Sequence, residues 1–225
     1  TDTTQFINIF IGDQRRQKLP ITASPIKANQ IKGLLEAVGC VHLGPLQPLD
    51  IDSDCINLLK EAEVPVFLDV QGYTRRIEDT EVYARVANQI KTSLKISRIV
   101  KANESEFESV LQYFDIDLAG LLARYNIEEF IVTQGKKGGF VLDNKNNKVR
   151  FDAVPVQSPG DPTGAGDIFF SAYIIGRFMK KMNISNACTY AAELTALQIS
   201  GNYITEDLLG LSAVGESDKI NKNLN

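Results

Sequence analysis

The chain has 225 residues, is 44% hydrophobic and carries a formal net charge of −4. That length suits one α/β domain with a sizeable core, and its basic residues are scattered rather than clustered, which argues against a nucleic-acid partner. No apolar run reaches the roughly 18 residues of a membrane span, and one histidine with three cysteines lacking ligand spacing (Cys40, Cys55, Cys188) argues against a zinc site.

In chain order, Phe6–Ile11 reads as a strand, Gly12-Asp13 as a turn and Gln14–Leu19 as a second strand, together a hairpin. Val38–Leu43 reads as a buried strand that leaves through Gly44-Pro45, with His42 at its end as a packed core or strand-end residue rather than a catalyst. Helical spacing over Ser53–Glu63 precedes a buried strand at Val64–Val70. Thr80–Thr92 is expected to be helical, Arg98–Lys101 a short strand, and Ser105–Phe114 and Asp117–Tyr125 short helices. Glu129–Thr133 is an apolar strand, and Gly138–Leu142 and Lys148–Asp152 flank an Asn/Lys turn as a hairpin. Asp167–Met182 and Ser185–Ser200 are the last two helices. Alternating strands and helices imply a mostly parallel sheet covered on both faces, with ligands at the carboxyl ends of its strands.

The run Asp161-Pro-Thr-Gly-Ala-Gly-Asp167, followed at once by apolar Ile168–Met179, carries the chemistry. Gly164 and Gly166 present no side chain to an approaching anion, and Ala165 adds almost none. Backbone N–H groups at such a helix start bind phosphate, helped by the helix dipole. An acid in the same turn, Asp167, can take the proton of an attacking hydroxyl. Phosphoryl transfer needs little beyond that, since positioning and charge stabilisation supply the rest. The plain alternative is a turn with Asp167 as a helix cap.

This run resembles the C-terminal signature of the ribokinase-like (PfkB) carbohydrate kinases. Three further segments resemble the family in the same order: Leu68-Asp-Val-Gln-Gly-Tyr-Thr-Arg75, Asn103-Glu-Ser-Glu106 and Val132-Thr-Gln-Gly-Lys-Lys-Gly138. The resemblance implies a three-layer α/β/α sandwich with a mostly parallel central sheet and a small β lid, of which residues 4–19 are part. It treats residues 1–225 as a single kinase domain that lacks an amino-terminal part, because the family carries strands ahead of the lid.

The resemblance also distributes roles. Asp167 is the general base, and the amides of Gly164, Ala165 and Gly166 form the anion hole for the γ-phosphate. Thr163 belongs to the same donor site. Glu106, with Asn103, holds a hydrated Mg²⁺. Thr133, Gly135 and Gly138 lie along the nucleotide, and Ala187, Ala191 and Ala192 leave room for adenine. Asp69, Arg75 and Asp161 are candidates for the acceptor side.

The implied activity is ATP-dependent phosphorylation of a hydroxyl on a sugar, cyclitol or similar polyol, with Mg²⁺ and K⁺ as candidate cofactors. The implied setting is cytoplasmic, with no nucleic acid or membrane partner and a homodimer as a candidate assembly. Asp69-Val-Gln-Gly72, with Gln71-Gly72 where many members carry Asn, resembles a subgroup that includes inositol-type and uncharacterised sugar kinases. A non-catalytic binder of nucleotide or sugar, and a nucleoside or hydroxymethylpyrimidine kinase, stay open. Asn103 with Glu106 also fits a helix start, and Gly135 with Gly138 also fits a hairpin turn.

Overall fold

The computed structural model describes residues 2–11, 14–157 and 160–209. They form two compact units that divide after Phe151. The Gly12-Asp13 turn lies outside the described residues.

The first unit is built on a six-stranded sheet: β3 (Val41–Leu43), β4 (Val66–Asp69), β7 (Ser97–Asn103), β8 (Glu129–Thr133), β9 (Gly139–Asp143) and β10 (Lys148–Phe151). Its spatial order is β10-β9-β8-β7-β4-β3. Strands β3, β4, β7 and β8 run parallel; β9 pairs antiparallel with β8, and β10 antiparallel with β9. The four parallel strands therefore end at one edge, in Leu43, Asp69, Asn103 and Thr133.

One alternation of side chains (Val66, Leu68, Val100, Ala102, Phe130, Val132, Phe140) joins the main core cluster. The other alternation (Phe67, Ile99, Ile131, Val141) is equally buried. Strands buried on both faces read as continuous apolar runs, which is why these segments were legible. Helices α2 (Ser53–Glu61), α4 (Glu104–Phe114) and α5 (Leu118–Tyr125) contribute Leu59, Val110, Phe114, Leu121 and Leu122 to the core. Each begins at an acidic or amide N-cap: the side chains of Asp52, Asn103 and Asp117 accept amides of the first turn.

A second, antiparallel sheet comprises β1 (Gln5–Ile11), β2 (Gln14–Ile21), β5 (Arg75–Glu78) and β6 (Glu81–Ala84), in the order β1-β2-β6-β5. Lys18 faces Glu81 across β2 and β6, and their side chains form an ion pair at 2.8 Å.

Two expectations are corrected here. Thr80–Thr92 is not one helix: β6 occupies Glu81–Ala84, and only α3 (Ile90–Leu94) is helical. The two-residue turn Asp79-Thr80 holds both residues at positive φ, 46° and 71°. That turn matches the twist of a hairpin, and the Leu19 amide donates to the Thr80 carbonyl at 2.7 Å. Nonlocal pairing thus overrides a composition compatible with helix. Nor is the segment before Gly44 a buried strand. It shortens to Val41–Leu43 at the edge of the sheet, where His42 is exposed and only Leu43 is buried.

The second unit contains α6 (Ala165–Ile174), which passes into a π-turn over Ile175–Met179, then α7 (Ile184–Ile199) and a short α8 (Glu206–Leu209). Phe169, Phe170, Tyr173, Cys188, Ala191 and Leu194 of these helices are buried. Helix α6 starts two residues ahead of the expected Asp167 because Gly164, at φ 81°, caps it. A β-carbon there would meet nothing within 4 Å, so the glycine is needed for its left-handed backbone rather than for space.

Candidate active site

Asp161 begins the turn that delivers α6. Its Oδ1 accepts the Thr163 amide at 2.9 Å and the Thr163 hydroxyl at 2.6 Å. The Ala165 amide donates to the Pro162 carbonyl at 3.0 Å, and the Ile168 amide to the Gly164 carbonyl at 2.9 Å. The Ala165 N–H expected in the anion hole is therefore engaged within the turn. The amides of Gly166 and Asp167 have no acceptor among the described residues. These are the orphan donors of a helix start. The Asp167 carboxylate, in the first turn of α6, is exposed and makes no ion pair or hydrogen bond among the described residues.

The remaining candidates belong to the first unit, where parallel strands place them at one edge. Asp69 ends β4, Asn103 ends β7 and Thr133 ends β8, with Asn103 opposite Thr133 in register. Asp69 is fully buried and pairs with Lys101 at 2.8 Å, while its other oxygen accepts the Gln71 amide at 3.0 Å. Lys101 is 5% exposed. Sequence reasoning missed it, yet the signal existed: a lysine amid the apolar residues of a strand must find a partner.

Asn103 and Glu106 form a reciprocal cap. The Asn103 Oδ1 accepts the Glu106 amide at 2.9 Å, and a Glu106 carboxylate oxygen accepts the Asn103 amide at 2.8 Å. The structural alternative named for this pair is thus present. It engages one oxygen of the carboxylate; the other accepts no hydrogen bond among the described residues. Burial and the Asp69 carboxylate raise the Glu106 pKa above its ordinary 4.5, while Lys101, the Asn103 amide and Arg75 pull it down. Glu106 is therefore in electrostatic reach of Asp69, Lys101 and Arg75. Among the described residues no group of three or more His, Cys, Asp or Glu is arranged to hold a metal. A magnesium ion that keeps its waters fits this donor set, since it asks for one or two carboxylates rather than a cage.

Arg75 Nη1 donates to the Leu46 carbonyl at 2.8 Å, Nη2 to Gln71 Oε1 at 3.3 Å, and the guanidinium lies 5.0 Å from the Phe6 ring centre. Gly72 packs so closely that a β-carbon would stand 2.3 Å from the Pro45 carbonyl oxygen. The Asp69–Arg75 segment is thereby locked against the strand-exit loop after β3. Gly135 and Gly138 bracket the 3₁₀ turn that joins β8 to β9, where the Gln134 amide donates to the Gly138 carbonyl at 2.7 Å. Ala187 and Ala191 are fully buried, and Ala187 lies against Gly176 in the packing of the second unit.

A nucleoside kinase of Methanocaldococcus jannaschii is 31% identical over 109 residues, a match that covers 47% of this chain and only 35% of that protein. Among solved structures, a sulfate complex of a pyrophosphate-dependent kinase in the ribokinase family superposes with TM-score 0.75 at 23% identity, covering 92% of this chain and 74% of that one. A pyrophosphate-dependent kinase of the same family, bound to a pyrophosphate analog and myo-inositol, gives TM-score 0.72 at 22% identity, with 87% and 70% covered. Ribokinase of Thermotoga maritima gives 0.64 at 19% identity, covering 88% of this chain and 65% of that one. This likeness shows the fold, the ribokinase-like α/β class with a mostly parallel sheet that the sequence implied. Residues 40–208 match the pfkB family carbohydrate kinases, and the chain belongs to that family.

Proposed function

We propose that the protein transfers the terminal phosphoryl group of ATP to a hydroxyl of a sugar, cyclitol or nucleoside, with Mg²⁺. One observation carries the reading. An exposed carboxylate without a partner among the described residues, Asp167, stands in the first turn of a helix whose Gly166 and Asp167 amides are unengaged. Asp167 takes the acceptor's hydroxyl proton, that oxygen forms a bond to the γ-phosphorus, and the bond to the β-phosphate oxygen breaks to release ADP. The amides meet the charge of the transferred group. Glu106 would hold the hydrated ion, its carboxylate fixed by the Asn103 amide; the ion would neutralise charge on the donor phosphates when bound.

Two of the similar structures are pyrophosphate-dependent kinases, so pyrophosphate is the second donor to test. Among the described residues no helix is long and apolar enough to cross a membrane; the three cysteines, all free thiols, suit a reducing, cytoplasmic setting.

The test is a panel of myo-inositol, ribose, fructose and nucleosides with ATP or pyrophosphate, on the natural full-length protein. Asp167→Asn is expected to lower kcat by about 10²–10⁴-fold, the usual share of a general base, with little change in donor binding. Near-normal turnover of that variant at saturating donor refutes the assignment.

A further inference from the structure

The loop that leaves β3, residues 44–50, has no helix or strand of its own, and one side chain organises it. Asp50 Oδ2 accepts the Leu46 amide at 2.6 Å and the Gln47 amide at 3.1 Å, and Asp50 Oδ1 accepts the Gln47 side-chain amide at 2.7 Å. Gln47 Oε1 in turn accepts the Leu49 amide at 3.1 Å, and the Asp50 amide donates to the Gln47 carbonyl at 3.2 Å. Hydrogen bonds to a carboxylate are about twice as strong as neutral ones. Gln47 is buried, so water does not readily replace its partners.

This loop reaches Arg75 through a single peptide group. The Gln47 amide and the Leu46 carbonyl are the two ends of one rigid plane. Asp50 holds the amide end, and Arg75 Nη1 donates to the carbonyl end at 2.8 Å. Turning that plane withdraws the carbonyl from the guanidinium. The loop is also pressed against the turn that carries Arg75: a β-carbon on Gly72 would lie 2.9 Å from the Gln47 nitrogen. On the same turn Gln71 Oε1 accepts Arg75 Nη2 at 3.3 Å. Both terminal nitrogens of Arg75 thus bond to this junction. Arg75 is half-buried and in electrostatic reach of Glu106, at the edge where the parallel strands end. A guanidinium donates in a fixed plane, so its orientation decides which oxygens it can meet.

We propose that Asp50 is a positioning residue for the acceptor: through the Leu46–Gln47 peptide it holds Arg75 in the orientation that binds the acceptor's hydroxyls. The proposal rests on the kinase reading, with Arg75 as its acceptor-side arginine.

The test is a kinetic double-variant cycle on the natural full-length protein, run with each panel acceptor (myo-inositol, ribose, fructose, nucleosides) that is turned over. Asp50→Asn keeps the shape of the side chain but replaces one accepting oxygen by a donor. It is expected to raise the acceptor KM about tenfold, with kcat changed less than about threefold and the donor KM unchanged. Arg75→Ala is expected to raise the acceptor KM at least as far. In the Arg75→Ala background Asp50→Asn adds nothing further, as for residues that act as a unit. Gln47→Met, which leaves the backbone amides their acceptor, is the milder variant and raises the acceptor KM about threefold. Asp52→Ala removes the α2 cap, where Asp52 Oδ1 accepts the Asp54 amide at 3.1 Å, but leaves Leu46 and Gln47 their partners. It is expected to lower Tm without changing the acceptor KM, and so reads lost stability alone. Hydrogen exchange at the Leu46 and Gln47 amides quickens in Asp50→Asn, a readout that needs no turnover. Additive effects of Asp50→Asn and Arg75→Ala overturn the proposal and leave the kinase reading standing. So do an acceptor KM unchanged by the Asp50 and Gln47 variants, an equal rise in Asp52→Ala, or unchanged exchange at those amides. No turnover of any panel acceptor by the natural protein overturns the kinase reading, and the proposal with it.

Discussion

Replacing Lys101 by Met removes the cation that pairs with Asp69 at 2.8 Å among the described residues. Asp69 is 0% exposed, so water cannot take over the lysine's place, and among the described residues the carboxylate would keep the Gln71 amide at 3.0 Å. Breaking a buried pair from one side typically costs about 3–5 kcal/mol, because the surviving charge stays desolvated. Folded domains are stable by roughly 5–15 kcal/mol, so this loss is a large fraction of the whole. Urea unfolding reads it as a lower midpoint at unchanged slope. The double variant Asp69→Asn/Lys101→Met no longer strands a charge, and is expected to recover more than half of the loss. If Lys101→Met alone costs less than about 1 kcal/mol, or the double variant recovers nothing, the pair does not act as a desolvated unit and the reasoning fails.

Gly72→Ala is expected to destabilise by about 1–3 kcal/mol or more, since the new methyl would meet backbone atoms of Pro45 and Gln47 at 2.3, 2.5 and 2.9 Å. Gly33→Ala, which meets nothing within 4 Å, serves as the control, and should be neutral or stabilising by up to about 1 kcal/mol; equal losses in denaturant titrations would contradict the packing. Glu106 supplies a pH signature for the metal-free protein. Its folded pKa is raised above the ordinary 4.5, so the folded state keeps this proton when the unfolded chain has released it. The group's contribution to stability therefore falls as pH rises from near 4.5 through the raised folded value. Glu106→Gln should lack that fall, and unfolding curves of both proteins across that window would show parallel pH profiles if the shift were absent.

The sequence by itself determined the strands that are buried on both faces and the helices with local caps. Phe67–Leu68, Ile99–Val100 and Phe130–Val132 are uninterrupted apolar runs, and Asp52, Asn103 and Asp117 announce their helices through short-range hydrogen bonds. The turn before α6 was legible for the same reason: Asp161 and Gly164 set its backbone within a few residues. It also placed Asp167 in the first turn of that helix.

Only tertiary structure decided the pairing of β6 with β5 and β2, because Glu81–Ala84 suits a helix as well as a strand until partners arrive. Tertiary structure likewise made β3 an edge strand with His42 exposed, since burial of a short apolar run depends on what lies beside it. It brought Lys101 to Asp69 across 32 residues of chain and Arg75 to the Leu46 carbonyl across 29. Local signals are written in neighbouring residues, whereas a charge finds its partner, or is left without one, only through the pairing of distant strands.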